Sequence, residues 1–246
     1  MSIPVAVEID EDFGDDVAAA ALEMARRFAA GGTMWCVSPQ WPSHARHVAV
    51  EFVHPVIVGK RALPAVQVDG PDIVDTLRLL VRAGDVLVAI SSGDDNLTRR
   101  LLLRAEAWGV TRFWLGSGPR PDAGMAEHVV WLEGTDPAMS ARSGDVVMLY
   151  HLLWELTHVA FEHPGLLEAD PTRTWAGPND GCLTCSDDAQ IAEVIELHRD
   201  GTASVRTRGF TATVDLSLVD PVGPGALVLV HAGVALTTLG EDVDDC

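Results

Sequence analysis

The sequence predicts an α/β fold, an open parallel five-stranded sheet flanked by helices, followed by a small all-β barrel. Over the first two-thirds of the chain, short apolar runs alternate with amphipathic segments of helical length, and such alternation is typical of a parallel sheet. The last third holds only short strand-like runs, separated by turns that contain glycine. Closely spaced short strands of this kind are typical of a small barrel.

In the first part, the helical periodicity and the apolar runs predict ten elements. Helices are predicted over 15–30, 43–53, 73–83, 97–108 and 145–162, with Ser43 as a candidate N-cap. Strands are predicted over 33–37, 63–68, 85–90, 111–115 and 128–132. The run at 85–90 is continuously apolar, which is typical of a strand covered by helices on both faces.

Composition limits the possible partners and compartments. The chain has 246 residues, of which 48% are hydrophobic, and a formal charge of -19. This charge repels phosphate backbones and anionic lipid surfaces, so we expect neither nucleic acid nor a membrane as a partner. No apolar run reaches the roughly 20 residues of a membrane span, and the first residues are acidic where a signal peptide is basic. We expect a cytoplasmic protein.

The four cysteines are too few and too unevenly spaced for a disulfide scaffold in a chain of this length. Cys182 and Cys185 form a CxxC pair, and the β-rich segment after them ends in a lone histidine, His231. Thiolates and imidazoles are ligands of soft and borderline metals. The pattern predicts a metal or redox site, and whether Cys36 takes part is open.

A second candidate site lies in the helical part of the chain. His47 and Glu51 are one turn apart on a predicted helix, which suits a metal site or an acid–base pair, although spacing alone favours an ordinary ion pair or hydrogen bond on the helix surface. The last helix carries a stripe of imidazoles and carboxylates at three- and four-residue spacing. The stripe consists of His151, Glu155, His158 and Glu162. We expect His158 and Glu162 to belong to a solvated or subunit-facing surface.

A candidate ligand-binding loop follows the apolar strand 85–90. Ser91, Ser92 and Gly93 supply hydroxyls and backbone amides at the carboxyl end of a strand, where open α/β sheets bind ligands. The next two residues, Asp94 and Asp95, would oppose an anionic group such as a phosphate.

Four stretches resemble the sugar isomerase (SIS) domain, and within it the phosphoheptose isomerases. They are AAAALEMARRFAAGGTMWCV, HARHVAVEFV, DVLVAISSGDDN and YHLLWEL. The resemblance implies an SIS-like domain over 1–163 with a metal, often zinc, held by His47, Glu51 and His151, and it places Ser143 where the family has a glutamine ligand. The family's phosphate loop is replaced by SPQWPS, which favours a domain that is not a catalytically active isomerase.

Residues 164–180 are rich in proline and glycine and are predicted to be a linker. The barrel domain, 181–246, carries strand-like runs at 190–197, 203–207, 211–215 and 226–231. This domain resembles the HypC/HupF family of [NiFe]-hydrogenase maturation chaperones. The resemblance rests on Cys182-Leu183, on the segment AEVIELHRDGTASVRTRGFTATVDLSLV and on GALVLVHAG, which ends at Gly233. It implies an OB-like barrel.

The resemblance also implies a role for the barrel. In that family the first cysteine, matched here by Cys182, helps to hold an iron fragment, Fe(CN)2(CO), together with the partner HypD, and His231 matches the family's histidine. Cys185 is a departure from the family pattern. Its thiolate could complete a two-sulfur iron site, or it could be a partly buried, inert side chain.

Three functions are therefore open. The leading hypothesis is a hydrogenase maturation chaperone that carries or escorts the iron fragment and binds a HypD-like protein and the hydrogenase large subunit precursor. Its SIS-like domain would form a homo-oligomer, a dimer or tetramer, or bind a ligand. The alternative is a metal-dependent sugar-phosphate isomerase with a regulatory barrel. The third is a scaffold whose first domain only oligomerises.

Overall fold

The computed structural model describes residues 11–133, 142, 144–168 and 189–239. Up to residue 168, helices alternate with strands as predicted. The helices are α1 (Glu11–Ala29), α2 (Pro42–Val53), α3 (Ile73–Leu80), α4 (Asn96–Ala107) and α5 (Asp145–Glu162). The strands are β1 (Met34–Val37), β2 (Ala65–Gln67), β3 (Val86–Ile90), β4 (Thr111–Ser117) and β5 (His128–Leu132). A 3-10 turn, Pro164–Leu166, follows α5.

The five strands form one parallel sheet in the order β2-β1-β3-β4-β5. In β3, all five residues are buried, because helices cover both faces of the sheet. The predicted open parallel sheet is confirmed. The strand order reverses next to β1 and β3, so the loops that follow these two strands lie at the switch point where such sheets form clefts.

The helices form two layers with separate cores. The first layer consists of α1, α2 and α5, which pack on Cys36 and Val88 and on the other side chains of that sheet face. The second layer consists of α3 and α4, which pack on Trp35, Leu87 and their neighbours. Because successive side chains of a strand point to opposite faces, the two layers lie on opposite sides of the sheet. No helix in the described ranges has the length and apolar composition needed to span a membrane.

The C-terminal part is a closed five-stranded barrel, which confirms the predicted all-β unit. Its strands are β6 (Gln190–Leu197), β7 (Thr202–Thr207), β8 (Phe210–Asp215), β9 (Leu227–His231) and β10 (Val234–Leu239). Their order is β10-β8-β7-β6-β9. Neighbours are antiparallel except β8 and β10, which are joined in parallel by the single pair Val234 and Asp215. Small and β-branched residues such as Ala203, Val205 and Val228 fill the interior.

Two predicted details of the helices are wrong. Ser43 does not cap α2, because the helix begins at Pro42 and Trp41 is the N-cap residue, without a side-chain cap bond. Proline is well suited to the first helical position, where its missing N–H group has no intrahelical partner to lose. Helix α3 ends at Leu80 rather than at residue 83, because Val81 adopts an extended backbone conformation.

Candidate functional site

Two helices of the first layer bring three predicted metal ligands together. His47 and Glu51 lie on α2 and His151 lies on α5, and each offers one ligand atom within 4.8 Å of the others. The carboxylate oxygen Oε1 of Glu51 is 3.3 Å from Nε2 of His47 and 3.8 Å from Nε2 of His151. All three side chains are partly exposed. The contact expected from spacing is therefore present, and His151 extends it into a group of three.

Local sequence and packing both contribute to this convergence. The four-residue spacing places His47 and Glu51 on the same face of α2. The indole Nε1 of Trp154 donates a 2.9 Å hydrogen bond to the backbone carbonyl of Glu51, which fixes the end of α2 against α5. His151 lies about one turn before Trp154 on the same helix, so it faces the pair on α2.

Tyr150 is buried next to the candidate ligands and was not predicted as a site residue. Its hydroxyl oxygen is 2.9 Å from Nδ1 of His47 and 3.4 Å from Nδ1 of His44. Burial, and secondarily the negative charge of Glu51, raises the pKa of Tyr150 to about 12, so the phenol is protonated at neutral pH. The available signal was its position directly before His151 in a chain with a single tyrosine.

The donor set is suited to zinc. Two imidazoles and one carboxylate are common zinc ligands, and a site with three protein ligands leaves a position open for water or substrate. His47 directs Nε2 towards Glu51 and Nδ1 towards Tyr150. Metal-binding histidines usually have such a partner on the second ring nitrogen, which orients the ring. Metal binding at these residues stays a prediction, and Ser143, the fourth position, lies outside the described residues.

The predicted ligand-binding loop lies at the end of β3, and its donors face other side chains of this protein. The amide and hydroxyl of Ser92 are 3.1 and 2.9 Å from Oε1 of Gln40. The Ser92 hydroxyl is also in hydrogen-bonding contact with the carboxylate of Asp94. A Cβ atom on Gly93 would lie 2.2 Å from the Pro119 carbonyl oxygen, so this position requires glycine. Gln40 was not predicted, although it belongs to the loop SPQWPS.

The neighbouring residues Ser91 and Asp95 also form hydrogen bonds with other groups of this protein. Ser91 is buried, and its hydroxyl oxygen accepts a 3.0 Å hydrogen bond from Nε1 of Trp114. Asp95 is the N-cap of α4, and its carboxylate accepts a hydrogen bond from the Thr98 amide. A carboxylate of the protein thus occupies the helix N-terminus, where an anionic ligand would otherwise be favoured.

One prediction for the stripe on α5 is wrong. His158 is buried, with 1% of its surface exposed. Its Nδ1 is 2.8 Å from the Trp154 carbonyl oxygen, and its Nε2 is 2.9 Å from that of Arg61. The His158 ring therefore connects Arg61, in the segment before β2, to the backbone of α5. Glu162 is exposed and pairs with Lys60 at 2.9 Å, which agrees with a solvated surface.

The residues predicted for the barrel site are only partly described. His231 is the last residue of β9 and pairs with Val234 of β10 across a two-residue turn. The turn residues Ala232 and Gly233 have φ angles of 50° and 82°, as this hairpin type requires. Cys182 and Cys185 lie outside the described residues. Cys36 is buried in the first core, and burial raises the pKa of its thiol, which disfavours the reactive thiolate.

Comparisons with known proteins separate the two parts of the chain. Residues 189–243 match the HupF/HypC family. No curated protein matches the chain. A phosphoheptose isomerase from Francisella tularensis is similar in structure, with a TM-score of 0.52 and 17% identity, over 59% of this chain and 86% of that protein. For a phosphoheptose isomerase from Neisseria gonorrhoeae the TM-score is 0.48 at 20% identity, over 58% and 85%.

At this identity, the structural similarity shows a shared fold and nothing more. The match to the HupF/HypC family, in contrast, is a match of sequence, and it spans all five strands of the barrel. The chain thus joins an N-terminal domain with the fold of a phosphoheptose isomerase to a C-terminal barrel that matches the HupF/HypC family.

Proposed function

We propose that this chain is a [NiFe]-hydrogenase maturation chaperone whose barrel carries or escorts the Fe(CN)2(CO) precursor. The observation that supports this function best is the HupF/HypC match over residues 189–243, which includes every strand of the closed barrel. The acidic character of the chain, with a net charge of -19, favours protein partners over nucleic acid.

The proposed iron ligands are Cys182, Cys185 and His231. The two thiols precede the matched segment by a few residues, and thiolates are suitable ligands for a soft iron centre. His231 lies at the end of β9, beside an exposed turn rather than in the barrel interior. A position at the barrel surface suits a ligand that must be released to a second protein.

The proposed partners are a HypD-like maturation protein and the hydrogenase large subunit precursor. For the N-terminal domain we propose a role in homo-oligomerisation or ligand binding, without isomerase activity. The absence of isomerase activity is argued from the loop after β3. There, Gln40 and Asp94 engage the donors of Ser92, and Asp95 caps α4.

The proposal is tested by purifying the chain under anaerobic conditions from cells that express the maturation partners. We expect co-purification of a HypD-like protein and infrared bands of cyanide and carbonyl ligands. The bands should disappear in Cys182→Ala and weaken in Cys185→Ala and His231→Ala. Thr238→Ala, an exposed change on β10, is the control and should retain them. Absence of bands and of any partner in the unmodified protein would refute the proposal.

The alternative function, a metal-dependent sugar-phosphate isomerase with a regulatory barrel, is supported by the convergence of His47, Glu51 and His151. These three residues would hold the zinc ion, which when bound polarises a carbonyl oxygen. Tyr150 would orient the His47 ring through its contact with Nδ1. The partly exposed group lies between α2 and α5, where a small molecule can reach it.

The isomerase alternative predicts zinc in the purified protein and conversion of ketose phosphates to aldose phosphates. Both should be lost in His47→Ala and His151→Ala. The matched controls are His54→Ala and His163→Ala, since both histidines are exposed and lie just beyond the ends of the same helices. Zinc binding without turnover would support a ligand-binding domain and exclude the isomerase.

A further inference from the structure

The barrel packs against the second helical layer, and a buried carboxylate lies at the centre of this contact. In β6, Ala192 and Val194 point into the barrel, whereas Ile191 and Glu193 face the layer of α3 and α4. Glu193 is only 2% exposed. Because an unpaired buried charge is strongly unfavourable, this position depends on what α3 and α4 offer to the carboxylate.

Three residues donate to that carboxylate: Arg78 of α3, Arg104 of α4, and Trp108, the C-cap residue of α4. Oε1 of Glu193 is 2.8 Å from Nη2 of Arg78 and 3.2 Å from Nη1 of Arg104. Oε2 accepts a 2.7 Å hydrogen bond from the indole Nε1 of Trp108. Arg104 and Trp108 are themselves buried. We name these residues, together with Arg206, the Glu193 cluster.

Hydrogen bonds to backbone groups also join the barrel to the layer of α3 and α4. Arg206 of β7 donates to the carbonyl oxygens of Arg78 and Val81 at 3.2 Å each. Nη1 of Arg104 also donates to the Gly225 carbonyl oxygen at 2.7 Å. The Gly209 amide donates a 3.0 Å hydrogen bond to the Ala107 carbonyl oxygen at the end of α4.

Glycines allow this close approach. A Cβ atom on Gly109 would lie 2.5 Å from the Arg208 carbonyl oxygen, and one on Gly209 would lie 2.4 Å from the Ala83 side chain. Leu227 of β9 adds an apolar contact, since it is buried in the core of the second layer. The barrel surface and the α3–α4 surface therefore fit each other in shape as well as in charge.

The charges of the cluster make Glu193 the decisive residue. The guanidinium groups of Arg78, Arg104 and Arg206 lie around this carboxylate. Asp75 also pairs with Arg78. Burial, together with the charge of Arg78, lowers the pKa of Arg206, whereas Glu193 raises it. Removing the Glu193 charge would leave like charges opposed across the contact.

We propose that the α3–α4 surface is a docking surface for the HupF/HypC-type barrel of the same chain, with the carboxylate of Glu193 as the group that it recognises. The barrel is then held in one position rather than attached only through the connecting segment. For the proposed maturation function, on which this consequence rests, a partner protein contacts the barrel on surfaces other than the Glu193 side of β6 and β7.

The test is hydrogen exchange of the full chain in three forms: unmodified, Glu193→Gln and Arg104→Met. We expect the Gly209 amide, which is bonded across the contact, to exchange at least tenfold faster in both variants. Amides bonded within the barrel, such as those pairing β7 with β8, should keep their protection. Glu196→Gln, on the same strand but exposed, is the control and should leave Gly209 unchanged.

Unchanged exchange of Gly209 in both variants would overturn the proposal. Loss of protection throughout the barrel in Glu193→Gln, with none in Arg104→Met, would also overturn it, because Glu193 would then serve the barrel fold alone. The measurement involves neither iron nor a partner protein. Its failure is therefore distinguishable from failure of the maturation function, which is read from infrared bands.

Discussion

At the scale of single residues, the phenol of Tyr150 connects the two helices of the candidate metal site. Its hydroxyl lies 2.9 Å from Nδ1 of His47, while the next residue, His151, supplies a ligand from the same helix. One turn of α5 thus contains both a candidate ligand and the hydroxyl that contacts the candidate ligand on α2. If a metal binds here, Tyr150 would affect the geometry of the site without being a ligand.

Replacing Tyr150 with phenylalanine should weaken zinc binding by about tenfold to a hundredfold, the usual effect of removing an orienting partner of a metal-bound histidine. The ring remains, so the packing against α2 is retained. A competition titration with a chromophoric chelator measures the affinity. His54→Ala should bind zinc as the unmodified chain does, and an unchanged affinity in Tyr150→Phe would show that the phenol does not orient His47.

The sequence predicted those site residues whose relation is local. The spacing of His47 and Glu51 follows from one turn of helix, and the structure confirms their pairing. The approach of His151 to this pair depends on how α2 and α5 pack, and its role as a metal ligand was predicted only from the resemblance to a family. Gln40 was not predicted, because its contact with Ser92 joins two loops 52 residues apart.

At the scale of elements, a buried arginine joins the start of β4 to its neighbours. Arg112 is 5% exposed. Its guanidinium bonds Glu106 of α4 at 2.7 Å and Glu127, just before β5, at 2.9 Å. Burial disfavours the charged arginine, but the two carboxylates reverse this effect, so the pKa of Arg112 is raised. Burial would raise the pKa of Glu127, yet the bonds from Arg112 lower it overall.

The lowered pKa of Glu127 predicts a pH-dependent contribution to stability. A carboxylate whose pKa is lower in the folded state stabilises the fold above its unfolded pKa of about 4.3, and this contribution is lost as the pH falls through the folded value. Glu127→Gln should therefore reduce the free energy of unfolding by about 0.5 to 1 kcal/mol at pH 7, a modest value because the side chain is 44% exposed.

Urea unfolding at pH 7 and pH 3 measures this effect. The difference between the unmodified chain and Glu127→Gln should shrink towards pH 3, because below about pH 4.3 the unfolded chain takes up a proton at this position and the stabilisation declines. Asp122→Asn, an exposed change in the same connection, serves as the control and should give no difference at either pH. A difference that is the same at both pH values would contradict the proposed ionic contribution.

Some boundaries of helices and strands can be predicted from the sequence pattern alone, and others cannot. The strand β5 and the helix α5 begin and end where periodicity predicted them. The start of α2 was misplaced by one residue, because proline at the first position competes with a serine cap. Strand β10 was not predicted as an element, since its residues Thr237 and Thr238 are exposed and it pairs with β9 through an irregular register.

At the scale of the whole molecule, the candidate metal site and the barrel lie on opposite sides of the sheet. His47 belongs to the layer of α1, α2 and α5, whereas Glu193 contacts α3 and α4. No pattern in the sequence predicted this placement, because it depends on contacts between residues more than eighty positions apart.

Because His47 and the barrel lie on opposite sides of the sheet, we expect a substitution in one of them to leave metal binding by the other unchanged. His47→Ala should abolish zinc binding at the first domain and leave the cyanide and carbonyl bands of the barrel unchanged, because distant sites without shared partners behave additively. Cys182→Ala should have the opposite effect. Metal analysis and infrared spectra of the two single variants and the double variant measure this. Loss of the bands in His47→Ala would instead show that the sites are coupled.

The docking of the barrel has a consequence for synthesis on the ribosome. Trp108 finds its partner Glu193 only 85 residues later in the chain. At about 5 to 20 residues per second, Glu193 is made roughly 4 to 17 seconds after Trp108. During this interval the groups of α3 and α4 that contact the barrel lack that cover. We expect this surface of the nascent chain to be a transient binding site for cellular factors that bind exposed apolar surface, until its own barrel replaces them.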